Sequence, residues 1–244
     1  MAKKPGGTTK PAGPGSARRD LAVRVKTARK RTHSSTLWLE RQLNDPFVAR
    51  ARAEGFRSRA AFKLQEIDDR FKLLKRGQRI VDLGCAPGGW AQIAAARTGS
   101  ASGAPGAKVV GIDLLEVDPI AGVVFEQLDF TAEHAPARLK ELLGGEAHGV
   151  MSDMAANTTG HQKTDHLRIV GLAELAVDFA CEVLAPGGFF VCKLFQGGDT
   201  ATIITGLKRD FAQVRHVKPA ASRSDSSELY VLATGFRGER RDDA

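Results

Sequence analysis

The chain has no uninterrupted apolar run long enough to cross a bilayer, which argues against a helical membrane protein. It also lacks an apolar stretch near its start, so no secretory signal is expected, and Pro5, Pro11 and Pro14 interrupt any amphipathic targeting helix there. Cysteine is scarce. Cys85, Cys181 and Cys192 form no C-x-x-C pair and no metal-ligand spacing, so they read as buried or loop thiols of a reducing, cytoplasmic compartment, and no metal centre is expected. Neither an internal repeat nor a second globular domain is visible. What is present is a chain of 244 residues, 42% hydrophobic, enough for one α/β core with a tail.

The charge is lopsided. Residues 1–60 hold 15 Lys+Arg against four Asp+Glu, a net of +11, so the other 184 residues carry −3 of the total of +8. Such a basic front end suits phosphate backbones, where each neutralised phosphate releases counterions. The first 20 residues, rich in Gly, Pro, Lys and Thr, have no hydrophobic periodicity and are expected to be disordered. Arg24, Lys26, Arg29, Lys30 and Arg31 then follow without an aromatic platform for base stacking, the composition of an electrostatic arm rather than a sequence reader.

The most informative segment is Val81 to Trp90, VDLGCAPGGW, in which an apolar strand runs into a glycine-rich turn carrying the carboxyl of Asp82. Gly84, Gly88 and Gly89 remove the side chains that would keep a ligand off the backbone. A dinucleotide-binding turn requires G-x-G-x-x-G; Pro87 and the wider glycine spacing here do not supply it. The segment resembles instead the donor loop D-x-G-x-x-P-G-G-[FW] of S-adenosylmethionine-dependent methyltransferases.

Around this loop the pattern alternates. Folded structure is expected from near Leu37, with a helix from about Asp45 capped by Asn44 or Asp45 and ended by Gly55, and a second helix from Ser58 that carries Lys63. Strands are expected at Ile80–Leu83, Lys108–Leu114, Val123–Leu128, Gly149–Asp153, Gly188–Phe195, Gln213–Lys218 and Leu229–Gly235, with helices between, among them 165–184 and 200–211. This is the order of a doubly wound sheet, whose ligands gather at the carboxyl ends of the strands. Asp113 at the end of the second strand is placed for ribose hydroxyls, and Asp129 after the third for the exocyclic amine of adenine. The stretch 100–107, SASGAPGA, lengthens a loop and is expected to be flexible.

Lys193, flanked by Val191, Cys192, Leu194 and Phe195, is costly to bury as an isolated charge, so it needs a carboxylate partner or a depressed pKa. Asp153 closes the fourth strand and Glu228 opens the last. SRAAFKL, VDLGCAPGGW, DLLEVDPIAGVVFEQLDF, VMSDMAANTTGHQKTDH, GGFFVCKLFQGGD and the closing S-R-x-x-S-S-E-[LY]-Y pattern occur in one order from about Ser34 to Phe236. With them the chain resembles the FtsJ/RrmJ-type (RlmE) ribosomal RNA large-subunit 2′-O-ribose methyltransferases. The resemblance implies one Rossmann-like class I domain over 34–237, with a mostly parallel seven-stranded sheet and an antiparallel last strand, flanked by a basic extension (1–33) and a polar tail (238–244). It implies a catalytic tetrad of Lys63, Asp153, Lys193 and Glu228, and S-adenosylmethionine held by Gly88, Trp90, Asp113, Asp129 and Asp153. The partner it implies is ribosomal RNA within the large subunit, methylated at a uridine by a monomeric enzyme. A transfer RNA substrate, or a non-catalytic ribosome-assembly role, is the alternative.

The chemistry makes these residue types intelligible. A ribose 2′-hydroxyl is a weak nucleophile that must be aligned with the donor methyl and lose its proton. Lys193 is expected to act as the base or to stabilise the oxyanion, Asp153 to orient it, and Lys63 and Glu228 to position the ribose.

Overall fold

A computed structural model of the chain describes residues 23–25, 27–30, 32–155, 162–195, 200–223 and 226–238. The chain divides into two compact units, Met1–Asp45 and Pro46–Ala244; the sequence placed the boundary at Ser34. The segment 1–20, expected to be disordered, lies outside the described residues, as does most of the polar tail.

In the first unit a 3-10 turn, Ala28–Lys30, precedes helix α1, His33–Leu43. Helix α1 was not anticipated. Thr32 caps its start, its hydroxyl accepting from Ser35 N. Asn44, expected to start the next helix, instead closes this one: its side-chain amide donates to Glu40 O at 2.7 Å and to Val23 O at 3.0 Å, and its carbonyl accepts from Val23 N at 2.7 Å. The side chain thus adds a second hydrogen bond to Glu40 O, which already accepts from Asn44 N at 3.1 Å, and ties the last turn to Val23.

The second unit is the α/β domain. Two helices, α2 (Pro46–Ala53) and α3 (Ala60–Phe71), lead into strand β1 (Arg79–Leu83). Then come α4 (Gly89–Thr98), β2 (Lys108–Asp113), β3 (Val123–Gln127), α5 (Ala135–Leu143), β4 (Ala147–Ser152), α6 (Gln162–Val183), β5 (Leu184–Phe195), α7 (Ala201–Asp210), β6 (Phe211–Val217) and β7 (Glu228–Phe236). The sheet order is β3-β2-β1-β4-β5-β7-β6. Neighbours from β3 to β5 are parallel, and β7 runs antiparallel to both β5 and β6. The chain leaves β1 towards β2 on one side and returns to β4 on the other, so the gap between their carboxyl ends is the topological switch point.

Strand alternation sorts the core into two faces. Ile80, Val109, Met151, Phe189, Val191, Tyr230 and Leu232 pack under α3 and α4, against Leu64, Ile67 and Trp90. Val81, Leu83, Val110, Val150, Phe190, Cys192 and Val231 pack under α5, α6 and α7. The period of two puts Asp82 and Lys193 on the α3/α4 face. Two polar side chains are thereby carried into an apolar layer, a cost of several kcal/mol each for an uncompensated charge, which pairing or neutralisation offsets.

The stretch 100–107 is not a loose loop. Ser100–Ser102 is a 3-10 turn, Ala104 N donates to Gly99 O at 2.9 Å, Ala107 N to Ala104 O at 3.1 Å, and the Ala104 side chain is buried. Its glycines and serines serve turn geometry rather than freedom. No helix among the described residues is long and apolar enough to cross a membrane.

Candidate active site

At the switch point the chain builds a cavity of ≈ 880 Å³. Its wall runs from Gly84 and Ala86 after β1, through Asp113 to Leu115 after β2 and Leu128 to Thr131 after β3, to Asp153 to Ala155 after β4, closed by Arg168, Leu172 and Leu175 of α6. Gly84 is required here. It holds φ +74, and a Cβ would stand 2.6 Å from Met154 Cγ and 3.0 Å from Met154 Cα. The turn is tied to β2 by Gly84 N and Cys85 N, which both donate to Ile112 O.

Three of the expected donor residues meet in this wall. Asp113 accepts from Ala86 N through Oδ2 and from Leu115 N through Oδ1, both at 2.9 Å, so it fixes the glycine turn as well as facing the cavity. The Oδ1 of Asp129 accepts from Thr131 Oγ1 at 2.7 Å and from Thr131 N at 2.9 Å, bonds that hold its carboxyl below the usual range and keep it a carboxylate. Asp153 is the third. Gly88 and Trp90 do not line the cavity. Trp90 is buried, its ring 5.6 Å from that of Tyr230 and its Nε1 donating to Ala60 O at 2.9 Å. Gly88, at φ +109, caps α4, and a Cβ there would stand 2.5 Å from Ile120 Cδ1.

The four expected catalytic residues are brought together from four elements. Lys63 is presented by α3, Asp153 follows β4, Lys193 sits in β5, and Glu228 opens β7. Lys193 Nζ lies 3.0 Å from Asp153 Oδ1 and donates to Asp153 O at 2.5 Å. Lys63 Nζ lies 2.7 Å from Glu228 Oε1. Both lysines are buried, so these pairs supply the compensation that the β5 sequence demanded.

Tyr230 joins the two pairs, and the sequence reading missed it. Its hydroxyl accepts from Lys63 Nζ at 3.0 Å, donates to Asp153 Oδ1 at 2.8 Å and lies 3.3 Å from Glu228 Oε1. Tyr230 pairs directly with Lys193 across the β5–β7 ladder. Burial, then the charges of Asp153 and Glu228, push its phenol well above its ordinary value, so it is a neutral donor. Burial alone would raise Asp153; Lys193, then Lys63, and the Tyr230 and Lys193 hydrogen bonds outweigh it and hold the carboxyl below 3.8. Asp153 therefore belongs to both parts of the site, the cavity wall and the ion-pair network.

A signal for Tyr230 existed: in the run Glu228-Leu-Tyr230 the two polar ends are two apart, hence on one face of a strand. Arg57 was also missed. Its guanidinium donates to Asp118 O at 2.5 Å, Pro119 O at 2.7 Å and Pro87 O at 3.4 Å, bracing the glycine turn against the segment after β2. Among the described residues no cluster of three or more His, Cys, Asp or Glu could hold a metal ion.

Comparison with known proteins fits this geometry. The model of the FtsJ-like methyltransferase family matches residues 56–236. The protein named ribosomal RNA large subunit methyltransferase E of Xanthobacter autotrophicus is 67% identical over 232 residues, covering 95% of this chain and 90% of that protein. The protein of the same name from Bradyrhizobium diazoefficiens is 68% identical over 218 residues, covering 89% and 95%. Among solved structures, a Plasmodium falciparum protein named as a ribosomal RNA methyltransferase superposes with a TM-score of 0.65 at 30% identity, covering 75% of this chain and all of that one.

Proposed function

The chain belongs to the FtsJ-like methyltransferase family, and from that premise we propose that it transfers a methyl group from S-adenosylmethionine to the ribose 2′-oxygen of a uridine in large-subunit ribosomal RNA. One observation carries the reading: the Lys193–Asp153 and Lys63–Glu228 pairs form a single network through Tyr230, and Asp153 places that network at the edge of the cavity. The relatives' names supply the ribosomal substrate.

The cavity fits the donor. S-adenosylmethionine is a cationic nucleoside, and three carboxyl groups face the space. Asp113 is offered to ribose hydroxyls, Asp129 to the adenine amine and Asp153 to the amino-acid end. Gly88 and Trp90 act from behind the turn, Gly88 by starting α4 and Trp90 by packing on Tyr230. When bound, the donor supplies a methyl carbon that an oxygen can take while the C–S electron pair stays on sulfur.

The protein's own part is alignment and proton handling. Lys193 Nζ has two of its positions committed to Asp153, and the third faces O2′: as a lone pair of the neutral amine it takes the 2′ proton, or as an N–H of the ammonium it holds the negative charge that develops. Lys63 and Glu228 hold the ribose, and Tyr230 keeps both pairs in register. Mapping 2′-O-methylation across total RNA from cells with and without this protein tests the reading. One ribosomal uridine should lose its methyl group and regain it with the wild-type chain. Lys193→Ala should fail to restore it, with transfer reduced at least about 100-fold, the usual scale for removing a general acid–base group. Loss confined to transfer RNA would move the substrate, and wild-type turnover by Lys193→Ala would sink the mechanism.

A further inference from the structure

The closing S-R-x-x-S-S-E-L-Y pattern begins with Ser222, a residue to which the tetrad assigns nothing. Ser222 is 7% exposed, and its hydroxyl donates to Glu228 Oε1 at 2.9 Å. The segment that carries it is fastened to the helix that presents Lys63. Ala220 N donates to Glu66 Oε2 at 2.7 Å, Arg59 donates to Ala221 O, and Ser222 N donates to Pro219 O at 2.9 Å. The serine is therefore held independently of Glu228.

The contacts of Glu228 are one-sided. Lys63 Nζ at 2.7 Å, Ser222 Oγ at 2.9 Å and Tyr230 OH at 3.3 Å all meet Oε1. Among the described residues none meets Oε2, although the side chain keeps 15% of its surface open. Two donors on one oxygen, arriving from α3 and from the segment before β7, fix the rotation of the carboxylate. A carboxylate has about four lone-pair sites, so the unused oxygen stays a strong acceptor.

We propose that Ser222 is a positioning residue for methyl transfer: it pins Oε1 of Glu228 so that Oε2 is presented to the acceptor ribose as a hydrogen-bond acceptor. This deepens the ribose-methylation reading and rests on it. The 2′-hydroxyl has one proton, so Oε2 accepts it where Lys193 donates to O2′ and holds the developing charge, and the proton passes to Oε2 as the O–CH3 bond forms. The 2′-O-methylated product has no such proton, so the interaction favours the substrate. Without Ser222, Oε1 is met only by Lys63 at 2.7 Å and by the longer Tyr230 contact at 3.3 Å, and the carboxylate rotates.

The test is single-turnover methyl transfer to ribosomal RNA by the full chain, with donor KM and Tm measured alongside. Ser222→Ala should lower the transfer rate about fivefold, the scale of one lost hydrogen bond in an aligned site, with donor KM and Tm close to wild type. Ser222→Thr, which keeps the hydroxyl, should restore the rate to within about twofold. Should Ser222→Ala lose its fold, Ser222→Cys carries the comparison, because it fills the space with a weaker donor and should be slow where Ser222→Thr is fast. An unchanged rate for Ser222→Ala, equal slowing by the alanine and threonine variants, or a loss explained by donor KM overturns the proposal. A wild-type chain inactive on ribosomal RNA would instead remove the underlying reading, and the proposal with it.

Discussion

Asp82 sits at the base of the donor turn, wholly buried, with neither carboxyl oxygen reaching a hydrogen-bond partner among the described residues. Burial first, then repulsion from Asp153 and Asp113, raises its pKa well above the ordinary 3.8, and the nearby Ala91 amide offsets only part of this. A raised folded pKa means that the native chain keeps a proton which the unfolded chain gives up. The associated stability is complete below about pH 3.8 and is lost as pH rises through the folded pKa. Asp82→Asn keeps the shape without the titration. Its Tm should therefore gain on wild type as the buffer is taken from pH 5 to pH 9, followed by thermal denaturation. A difference that does not change with pH would show that the carboxyl is already compensated. Burial also pushes Cys192 up to about 12, so that thiol is a neutral filler rather than a nucleophile.

At the scale of elements, the insertion 100–107 shows how glycine and serine mislead. Their composition reads as freedom, yet Gly122 lies directly against the turn they make. A Cβ on Gly122, at φ +74, would stand 2.3 Å from Ser100 C and from Ala101 N, both backbone atoms that cannot step aside. Gly103 holds a similar φ of +69 with nothing within 4 Å. Gly103→Ala should therefore cost only the left-handed strain, about 1 to 2 kcal/mol, and Gly122→Ala clearly more. Paired urea denaturation curves measure this, and equal losses would mean that the turn can shift away from Gly122. The same contrast explains what the sequence could disclose. The strands of the sheet were legible because they are apolar runs bounded by turn residues, and the donor turn because it needs glycine at fixed offsets. Lys63, Asp153, Lys193 and Glu228 were legible as candidate site residues within motifs, while Tyr230 and Ser222 stood in the closing motif with no role assigned. Their roles depend on the β5–β7 register, which sets Tyr230 opposite Lys193, and on a segment fastened to α3 more than 150 residues away in sequence. Helix α1 escaped because its sequence, HSSTLWLERQL, carries too few apolar positions to declare a face.

For the molecule as a whole, charge and chemistry are assigned to different parts of the chain. The net of +11 lies within residues 1–60, whereas the cavity proposed for the donor, in the second unit, is faced by three aspartates and one arginine, Arg168. A phosphate backbone meets favourable charge at the first and unfavourable charge at the second, so nonspecific RNA affinity and methyl-donor affinity are separable properties. Arg24, Arg29 and Lys30 are exposed, and they belong to the arm that has no stacking aromatics. Replacing all three with glutamine should weaken binding to ribosomal RNA by a similar factor for every sequence tested. It should also flatten the dependence of log K on log salt by roughly 0.7 to 0.9 for each phosphate that the arm no longer neutralises. Donor binding, measured by calorimetry, should not change, because the charged residues that line the cavity, Asp113, Asp129, Asp153 and Arg168, are all in the second unit. A salt slope unaltered by the triple replacement would move the RNA-binding charge to the second unit, to the arginines around Lys63. A preserved slope with weaker binding to one RNA only would make the arm a sequence reader, which its composition argues against.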